Sequence, residues 1–484
     1  MASQATVPAC AALFAALDRA PMTWRHYLVW LAASGGALTD GWSVSTLGLA
    51  LPLLKNDFAL TPTMIGLFGS ALLFGAVTGA WAGGLLADRY GRKRLLLADM
   101  ALVSGAAGLV ASASAPWVII AGQFLIGVAI GADFPTSAAY VSEMTPRRTR
   151  SRMTVATIAM QSVGMIAAAL AALLVLKLDP ARADWRIMFA GQGVLALVFL
   201  GLRALTPESL RWLAVHGDMP RALALLPLFS TTIDNASASA ASSAPAAGHD
   251  ASAAGHDASA AGHDASAAGL GLLFGKAYRA RTTLAALPWT LMDVGTYGVG
   301  LFTPVILGAF HLQARDAGAI GADIVDAEGS AAVDLFLLLG FLASIWAVPR
   351  FGRIPMQVAG FAGMALGMLL LLFATLAGDG AGAHLTLVMI GFILFNFTMN
   401  LGPNATTFTL PPTLFPTAVR GAASGFAAGC AKVGATLGAF VVPQLQAIAG
   451  LSGVIALMVL ISVAGLVSTG WLAHEVNEEG ALEE

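Results

Sequence analysis

Four ionisable residues of this chain stand inside long apolar stretches, and their chemistry is the first clue to its function. They are Asp40, Asp133, Asp293 and Lys432. A charged side chain at the centre of a bilayer costs at least about 2.5–3.5 kcal/mol on the mildest scale, so each one needs a reason to be there. Carboxylates and an ammonium group offer proton exchange and ion binding. For any single carboxylate, a protonated hydrogen bond between packed helices stays open as an alternative.

One of these carboxylates is accompanied by two aromatic residues at helical spacing. Trp289, Asp293 and Tyr297 follow one another at intervals of four, which places them on the same face of a helix. That face offers an indole N–H, a carboxyl group and a phenol hydroxyl to a polar solute. Ordinary packing of the two aromatic rings is the alternative interpretation.

The elements that must position these residues are long apolar segments. The chain has 484 residues, of which 57% are hydrophobic and 11% charged, and its mean hydropathy is +0.79. A helix needs about 20 apolar residues to cross a membrane. The composition therefore predicts an all-α membrane protein with twelve transmembrane helices. The stretches lie near residues 27–54, 62–86, 94–114, 116–141, 153–177, 185–205, 284–310, 331–350, 355–377, 384–411, 420–447 and 451–473.

Several functional classes are excluded by the composition and by missing motifs. Two cysteines, Cys10 and Cys430, are too few for a disulfide framework or a cysteine-rich metal cluster. The net charge of −2 provides no basic surface for nucleic acid. The sequence has no HExxH, GxSxG or Walker A motif, which argues against an enzyme and against ATP-driven pumping. We expect no cofactor and no bound metal.

The basic residues between the apolar stretches indicate the orientation of the chain. With both termini placed in the cytoplasm, most Lys and Arg residues fall on the inner side, as the positive-inside rule requires. We therefore expect a multi-pass protein of the cell membrane with both termini in the cytoplasm. The basic residues on the outer side are Lys55, Lys177, Arg182, Arg186 and Arg315.

A segment of different composition separates two sets of apolar stretches. Residues 231–269 are rich in alanine, serine and glycine, and the unit ASAAGHD recurs there with a period of seven. No apolar stripe accompanies it, so we predict a flexible cytoplasmic linker rather than a coiled coil. Its His-Asp pairs could bind zinc weakly, although repeat expansion without a function is the simpler explanation. The predicted domains are a cytoplasmic segment at 1–26, six-helix halves at 27–206 and 284–473, a linker at 207–283 and an acidic tail at 474–484.

The two sets of stretches echo each other in sequence. The loop after the second stretch reads ADRYGRKR and the loop after the eighth reads VPRFGRIP, so both carry Arg-aromatic-Gly-Arg. The first and seventh stretches each hold one carboxylate, Asp40 and Asp293, among glycines. Two halves of like orientation imply a pseudo-two-fold axis along the membrane normal. This is the architecture of a transporter that rocks its halves around a central site.

The loop after the second stretch also carries a specific family motif. The segment GGLLADRYGRKR resembles the signature loop of the major facilitator superfamily, and PESLRWL at 207–213 resembles the PESPRWL segment common there. The resemblance implies the major facilitator fold, with charge pairs in this loop that latch the inner gate. Topology signalling by positive charge is the alternative. The residues of the predicted gating loop are Gly84, Asp88, Arg89, Gly91, Arg92 and Lys93.

Further segments narrow the resemblance within the superfamily. GADFP in the fourth stretch, Trp-x3-Asp-x3-Tyr in the seventh, GPNATTF in the tenth and the lysine of AKVGA in the eleventh are similar to motifs of the phosphate:proton symporter family. The expected proton carriers are Asp40 and Asp133, with Glu143 near the inner mouth either helping in release or pairing with nearby arginines. The resemblance implies a substrate site made of Gln161, Trp289, Asp293, Tyr297, Asn404 and Lys432.

This donor set suits a tetrahedral oxyanion, which accepts several hydrogen bonds at once. Lys432 would offset the charge of the anion. Dihydrogen phosphate carries protons and can donate to Asp293, whereas sulfate is unprotonated at neutral pH and cannot. Uptake against a negative-inside potential costs about 2.3 kcal/mol per charge per 100 mV, and co-moving protons offset this cost. The sequence thus predicts proton-coupled phosphate import by alternating access.

The chain departs from the family pattern at three positions, and these keep other functions open. Ser43 stands where the family has a second acid, Phe134 where it has a tyrosine, and Thr413 where it has a glutamate. One alternative is a proton-coupled carrier of another small solute, such as an organic acid, an organophosphate or a sugar. Another is a non-transporting membrane sensor. For a transporter, the expected partners are a small solute, protons and the lipid bilayer, and we expect a monomer that binds no nucleic acid.

Overall fold

The structure of the chain is a computed structural model. It describes residues 3–58, 60–178, 185–230, 271, 273–276, 278–300, 319–377, 385–415 and 420–476. Within these ranges the backbone is almost entirely helical. The linker repeat at 231–269 lies outside the described residues, as do Arg182, Arg315 and most of the acidic tail at 474–484.

Nine helices form the first part of the described chain. Proline in the first turn begins α3 and α5, because its missing N–H leaves no helical hydrogen bond unmade there. Thr61 caps α3 by accepting a hydrogen bond from the backbone N–H of Met64. The helices are α1 (Ser3–Arg19), α2 (Trp24–Phe58), α3 (Pro62–Tyr90), α4 (Arg92–Ala111), α5 (Pro116–Met144), α6 (Arg147–Leu178), α7 (Trp185–Ala204), α8 (Leu210–Val215) and α9 (Met219–Leu225).

Seven helices follow from residue 279 of the described chain onward. The last of them is interrupted at Gly450, whose φ of +66° divides it into two spans. A second break, at Gly402 before Pro403, separates α13 from α14. The helices are α10 (Arg279–Gly300), α11 (Ala319–Phe351), α12 (Arg353–Leu376), α13 (Leu385–Leu401), α14 (Pro403–Thr409), α15 (Pro411–Leu414) and α16 (Arg420–Glu475).

Nine helical segments of the described residues are long and apolar enough to cross a membrane. They lie in α3 to α7, in α12, in α13 together with α14, and twice in α16. The helices α2, α10 and α11 complete the twelve, so the predicted all-α fold with twelve transmembrane helices is confirmed. The eighth span begins earlier than predicted, at Ala319 rather than near 331, because an apolar scan does not extend over the acidic residues of its first turns.

The helices assemble into two bundles that meet along two pairs of helices. Within the first bundle, α2 packs against α6, α3 against α5, and α4 against α7. Within the second, α10 packs against α16 and α12 against α13. The bundles join where α3 lies against α16 and where α6 lies against α11. Large apolar side chains such as Trp117, Leu178 and Leu460 point outward, as expected of a surface that faces lipid.

Small residues bring the backbones of α3 and α5 into direct contact. A methyl group added at Gly75 or Gly79 would collide with a backbone oxygen of α5, and one added at Gly127 or Gly131 with a backbone oxygen of α3. Such close approach is how helices pack tightly in lipid, where no hydrophobic force holds them together. This close contact fixes the position of α5 against α3. Asp133 lies in α5, two residues after Gly131.

The sequence repeat between the two halves reappears in the backbone. Gly91 ends α3 with φ +98° and ψ 155°, and Gly352 ends α11 with φ +89° and ψ 159°. This conformation is essentially restricted to glycine. Both glycines turn the chain directly into the next helix, α4 or α12, so the Arg-aromatic-Gly-Arg loops have the same shape in both halves.

Helix α4 is capped by an acid from a distant part of the chain. Oε1 of Glu208 accepts hydrogen bonds from the backbone N–H groups of Arg92 (2.9 Å) and Lys93 (3.1 Å). Because this carboxylate lies at the N-terminus of α4, its negative charge also interacts favourably with the helix dipole. The indole N–H of Trp212 donates to the backbone oxygen of Asp88 at 2.9 Å. The PESLRWL segment therefore clamps the turn around Gly91. We call this side of the bundle the basic end, defined by Arg92, Lys93, Arg150 and Arg211.

The first helix, α1, is held at the basic end. Its Leu13 and Leu17 are buried against α8 and neighbouring apolar residues. Its Asp18 accepts hydrogen bonds from both Arg150 of α6 and Arg211 of α8, the second at 2.6 Å. Burial, together with the nearby charge of Arg150, lowers the pKa of Arg211, and the charge of Asp18 acts in the opposite direction. The short helix α1 thus braces the loops at this end.

Replacing Gly91 with alanine should destabilise the protein. The backbone conformation costs a non-glycine residue about 1–3 kcal/mol, and the added methyl group would collide with the Glu208 carboxylate. Gly108→Ala is the matched control, since the methyl group there would meet nothing within 4 Å. We expect thermal unfolding of the detergent-purified G91A protein at a lower temperature, and of G108A at or above the wild-type temperature. Equal melting of all three proteins would contradict the role of this turn.

Candidate solute and proton site

A buried cavity lies between the two bundles at the depth of the predicted substrate residues. The empty space at this site, open solvent included, is about 240 Å³. Helices α5 and α6 of the first bundle and α10, α14 and α16 of the second contribute its wall. We call this cavity the chamber, and it is lined by Phe134, Ile158, Gln161, Trp289, Asp293, Thr296, Tyr297, Asn404, Phe408 and Lys432. All six predicted substrate residues are among them.

The spacing of Trp289, Asp293 and Tyr297 has the structural result that the sequence predicts. The three side chains lie on one face of α10 and reach the same chamber. All three are nearly excluded from solvent. Their polar groups are therefore available to each other and to a bound solute rather than to bulk water.

The hydroxyl of Tyr297 is the centre of a hydrogen-bond network that joins the bundles. It donates to Oδ2 of Asp40 at 2.9 Å and accepts from Nζ of Lys432 at 2.7 Å. Nε2 of Gln161 lies 3.2 Å from the same hydroxyl and 2.7 Å from Oδ2 of Asp40. Asp40 and Gln161 belong to the first bundle, whereas Tyr297 and Lys432 belong to the second. A single hydroxyl group thus connects polar residues of both halves.

The network contains two carboxylates and one ammonium group. Nζ of Lys432 also forms an ion pair with Oδ2 of Asp293 at 3.2 Å. Asp40, Asp293 and Lys432 are each no more than 3% exposed. Burying charge is costly unless it is paired and hydrogen-bonded. With one excess carboxylate, the chamber is electrically balanced only when a proton or another cation accompanies it.

Aromatic rings complete the wall around Lys432. Its Nζ lies 4.7 Å from the ring centre of Phe134 and 4.2 Å from that of Tyr297. Phe408 packs edge-on against both Phe134 and Trp289. A ring face attracts a cation, so these contacts hold the ammonium group without supplying a further hydrogen bond. Phe134, where the family pattern has a tyrosine, therefore lines the chamber but offers no hydroxyl.

Asn404 reaches the chamber from the break between α13 and α14. The chain turns at Gly402, α14 begins at Pro403, and Asn404 is the second residue of this helix. The Asn404 amide donates to Oδ1 of Asn400 at 2.6 Å, which fixes its orientation. Its carbonyl and second N–H group remain as polar groups for the chamber wall.

Three chamber residues were not predicted from the sequence. Phe408 ends the GPNATTF segment and Thr296 precedes Tyr297, so both stood next to residues that were singled out. Ile158 had no local signal, because an isoleucine in an apolar helix looks the same whether it faces lipid, a neighbouring helix or a cavity.

Asp133 lies outside the chamber, in a second group of charges. Its Oδ1 accepts a hydrogen bond from Arg203 at 2.5 Å, and Arg203 also pairs with Asp99. Asp99 lies in a long apolar helix and is 3% exposed, so it is buried rather than in contact with water. Arg203 is also buried, and its ion pairs with the two carboxylates compensate the cost of burying its charge. The side chain of Asp334 lies outside the described residues.

Glu143 lies at the basic end rather than in the chamber. It accepts hydrogen bonds from Arg92 at 3.1 Å and from the hydroxyl of Ser209 at 2.5 Å. Arg211 donates to its backbone oxygen at 3.1 Å. These contacts agree with the alternative that Glu143 pairs with arginines. A part in proton release stays a prediction.

The residues of the predicted gating loop also meet at the basic end. Asp88 forms an ion pair with Arg92 at 2.7 Å, and Nζ of Lys93 donates to the backbone oxygen of Ala204 at 2.9 Å. Arg89 lies over the ring of Tyr90. Gly84 faces Gly425 of α16, so the two bundles approach closely there. The arrangement links three spans of the first bundle, and its action as a latch stays a prediction.

The position of the missing second acid is neutral and fully hydrogen-bonded. Ser43 accepts from Nε2 of Gln192 at 2.6 Å and donates to the backbone oxygen of Thr39 at 2.7 Å. It therefore adds no charge near Asp40. In the residues that the structure describes, no group of three or more His, Cys, Asp or Glu side chains could hold a metal ion. The His-Asp repeat lies outside those residues.

Two helix bundles that enclose a buried, charged chamber are typical of a membrane transporter. The family model of sugar (and other) transporters matches residues 28–480. The chain therefore belongs to the sugar (and other) transporter family, within the major facilitator superfamily, and the predicted membership is confirmed. Because the members of this family are transporters, the chain is a multi-pass membrane transporter and not an enzyme.

Individual relatives add detail to this assignment. The probable inorganic phosphate transporter 1-9 of Oryza sativa subsp. japonica is 30% identical over 472 residues, which cover 88% of this chain and 79% of that protein. The putative metabolite transport protein YaaU of Escherichia coli (strain K12) is 24% identical over 454 residues, covering 94% and 92%. Among solved structures, the proton:xylose symporter XylE bound to 6-bromo-6-deoxy-D-glucose has a TM-score of 0.75 at 18% identity, covering 93% and 96%. This last likeness confirms the fold.

Removing the Tyr297 hydroxyl should destabilise the contact between the bundles. In Tyr297→Phe, buried groups of Asp40, Gln161 and Lys432 each lose a partner, and one unsatisfied buried group costs about 1–3 kcal/mol. Tyr278→Phe is the matched control, because Tyr278 stacks on Phe415 away from the chamber. Thermal unfolding in detergent should show a clear loss for Y297F and little change for Y278F. Equal effects of the two changes would contradict a special role for the Tyr297 hydroxyl.

Proposed function

We propose that the protein is a secondary active transporter that imports inorganic phosphate together with protons by alternating access. The observation that carries this proposal is the meeting of two carboxylates, one ammonium group and several hydrogen-bond donors in a dry chamber between the halves. Gln161, Trp289, Asp293, Tyr297 and Lys432, with Asn404, would bind the substrate. Each bundle would rock around this chamber, so that it opens to one side of the membrane at a time.

The charges of the chamber couple an anion to a proton. Asp40, Asp293 and Lys432 together carry one negative charge when all are ionised, so an anion entering alone would add charge to an excess. A proton on Asp40 leaves only the neutral pair of Asp293 and Lys432. The ammonium group can then serve an anion without an unpaired carboxylate beside it. Each ligand thus favours the binding of the other, which is the thermodynamic requirement for symport.

The mixture of donors and acceptors favours phosphate among small anions. Lys432, Gln161 and Tyr297 carry N–H or O–H groups for anionic oxygens, whereas the Asp293 carboxylate only accepts. Dihydrogen phosphate has P–OH groups that can donate to Asp293, and sulfate at neutral pH has none. The phosphate transporters among the relatives support the same choice.

A second candidate is proton-coupled transport of another small solute, such as an organic acid, an organophosphate or a sugar. The aromatic wall of Phe134, Trp289 and Phe408 favours it, because ring faces can pack against a sugar or an aromatic carboxylate. Phe134 also removes the hydroxyl that the phosphate family has at this position. The family model and the metabolite and xylose carriers among the similar proteins agree with this candidate too. A non-transporting sensor is the outcome if no solute crosses.

The proposed transporter lies in the cell membrane as a monomer, with both termini in the cytoplasm. The basic end then faces the cytoplasm, in agreement with the positive-inside rule. Residues 27–206 and 284–473 would be the two moving halves, joined by the linker at 207–283. The latch of Asp88 and Arg92, together with Glu143, would close the inner side.

Uptake of radiolabelled phosphate into proteoliposomes tests this function. With acid outside, the wild-type protein should accumulate phosphate, benzoate and sulfate should compete poorly, and dissipating the pH gradient should remove the accumulation. Asp293→Asn should reduce uptake to the level of empty liposomes while leaving folding intact, because the negative charge is lost and an N–H donor replaces one of the two oxygens that accept from the P–OH groups. Lys432→Ala should strongly weaken phosphate binding, because the charge that offsets the anion is lost.

The matched control is Asp57→Asn. It removes a carboxylate at the C-terminal end of α2, where the Asp57 side chain is half exposed. This variant should transport like the wild type. Normal phosphate uptake by Asp293→Asn would exclude the proposed anion site. Uptake of benzoate or a sugar in place of phosphate would select the second candidate.

A further inference from the structure

A second set of buried charges lies within the first bundle, away from the chamber. Asp99 of α4, Asp133 of α5 and Arg203 of α7 are each no more than 3% exposed. One guanidinium nitrogen of Arg203 donates to Asp99, and the other donates to Asp133 at 2.5 Å. Arg203 also donates to the backbone oxygens of Ala32 at 2.9 Å and Leu96 at 2.6 Å. The guanidinium group is thus fixed between three helices and the two carboxylates.

The charges of this cluster do not balance. Among the described residues, Arg203 is the one cation in hydrogen-bond contact with either carboxylate. Oδ2 of Asp99 and Oδ2 of Asp133 are both buried and have no hydrogen-bond partner in the part of the chain that the structure describes. Excess charge and unused acceptors are both costly in a dry interior. A single proton on either carboxylate would remove the excess charge and supply an O–H donor.

The cluster is adjacent to Asp40 along one face of α2. The Asp133 carboxylate packs directly on Gly36, where any side chain would collide with it. Gly36 precedes Asp40 by four residues, which is about one helical turn, or ~6 Å along the axis. Arg203 contacts the same helix one turn earlier, at Ala32. Two buried carboxyl groups thus lie along one face of α2: Asp40, which is hydrogen-bonded to the chamber residues Gln161 and Tyr297, and Asp133 of α5, which packs on Gly36 about one turn away.

Among the residues that the structure describes, few other charged or titratable groups face the cluster. Asp40 of α2 interacts electrostatically with Asp133. Tyr140 of α5 carries a phenol group that interacts electrostatically with Arg203. From the second bundle, Lys432 contacts the ring of Phe134, the residue after Asp133. A change in the charge on Asp40 is therefore expected to act on the cluster.

We propose that Asp99, Asp133 and Arg203 form a proton-binding site that holds one proton shared by the two carboxylates and exchanges it with Asp40. This inference deepens the proposed proton-coupled transport and rests on it. In the exchange, one O–H bond breaks on the carboxyl group that gives the proton and one forms on the carboxylate that takes it. Arg203 stays protonated and limits the site to a single proton, because with both acids ionised it already balances one of them.

Infrared difference spectroscopy on the purified full-length protein tests the site without any transported solute. Protonated carboxyl groups are detected by their C=O stretching band during a pH titration. The wild type should show a titrating band that disappears in Asp99→Asn and also in Asp133→Asn, because either change leaves one carboxylate fully paired with Arg203. Asp40→Asn and the control Asp57→Asn should retain this band.

Two infrared results would overturn the proposal. One is a wild-type protein without the band. The other is a band that loses only part of its intensity in each single variant, which would mean two independent protons. Since Asp99→Asn and Asp133→Asn are expected to give the same result, either variant decides the question if the other does not fold.

A transport measurement connects the site to coupling. In proteoliposomes, Asp99→Asn should retain the exchange of external for internal phosphate but lose about tenfold or more of the accumulation driven by a pH gradient, which corresponds to about 1.4 kcal/mol. Wild-type accumulation by Asp99→Asn would overturn the proposal. If the wild-type protein transports no phosphate, the proposed function fails, and the infrared titration still decides whether the proton site exists.

Discussion

The interior between the two bundles can hold charges only when their sum stays close to zero. Asp40, Asp293 and Lys432 have one carboxylate in excess, so they meet this condition only when a proton or another cation accompanies them. The hydroxyl of Tyr297 touches both the carboxylate of one bundle and the ammonium group of the other. In a dry chamber, an added anion or an added proton changes this balance at once. In the proposed function, the same network that stabilises the contact between the bundles would also be the place where a solute and a proton act on it.

The architecture brings this network together from equivalent parts of the two halves. Asp40 lies in the first long helix of one bundle and Asp293 in the first helix of the other, and the loops at Gly91 and Gly352 have nearly the same backbone angles. The bundles join through α3 with α16 and through α6 with α11, on either side of the chamber. The proposed rocking movement of one bundle would break or remake the hydrogen bonds of Tyr297, so substrate binding and movement would share the same contacts.

Much of this arrangement could be predicted from the sequence, because it depends on length and period. Apolar stretches of sufficient length gave the spans, and intervals of four residues placed Trp289, Asp293 and Tyr297 on one face. The pairing of Arg203 with Asp99 was missed, because near the end of a span a charged residue that faces water and one that faces another helix look alike. The capping of α4 by Glu208 was also missed, since the two are more than a hundred residues apart and no local pattern joins them.

Calorimetric titration of phosphate into the purified protein tests most directly whether the chamber binds anion and proton together. Heats measured at one neutral pH in two buffers of different ionisation enthalpy give the number of protons taken up per bound phosphate. Coupled binding predicts that the wild-type protein takes up more protons per phosphate than Asp40→Asn, in which only the titration of phosphate itself remains. Equal proton uptake by the two proteins, with phosphate bound by both, would contradict the coupling through Asp40.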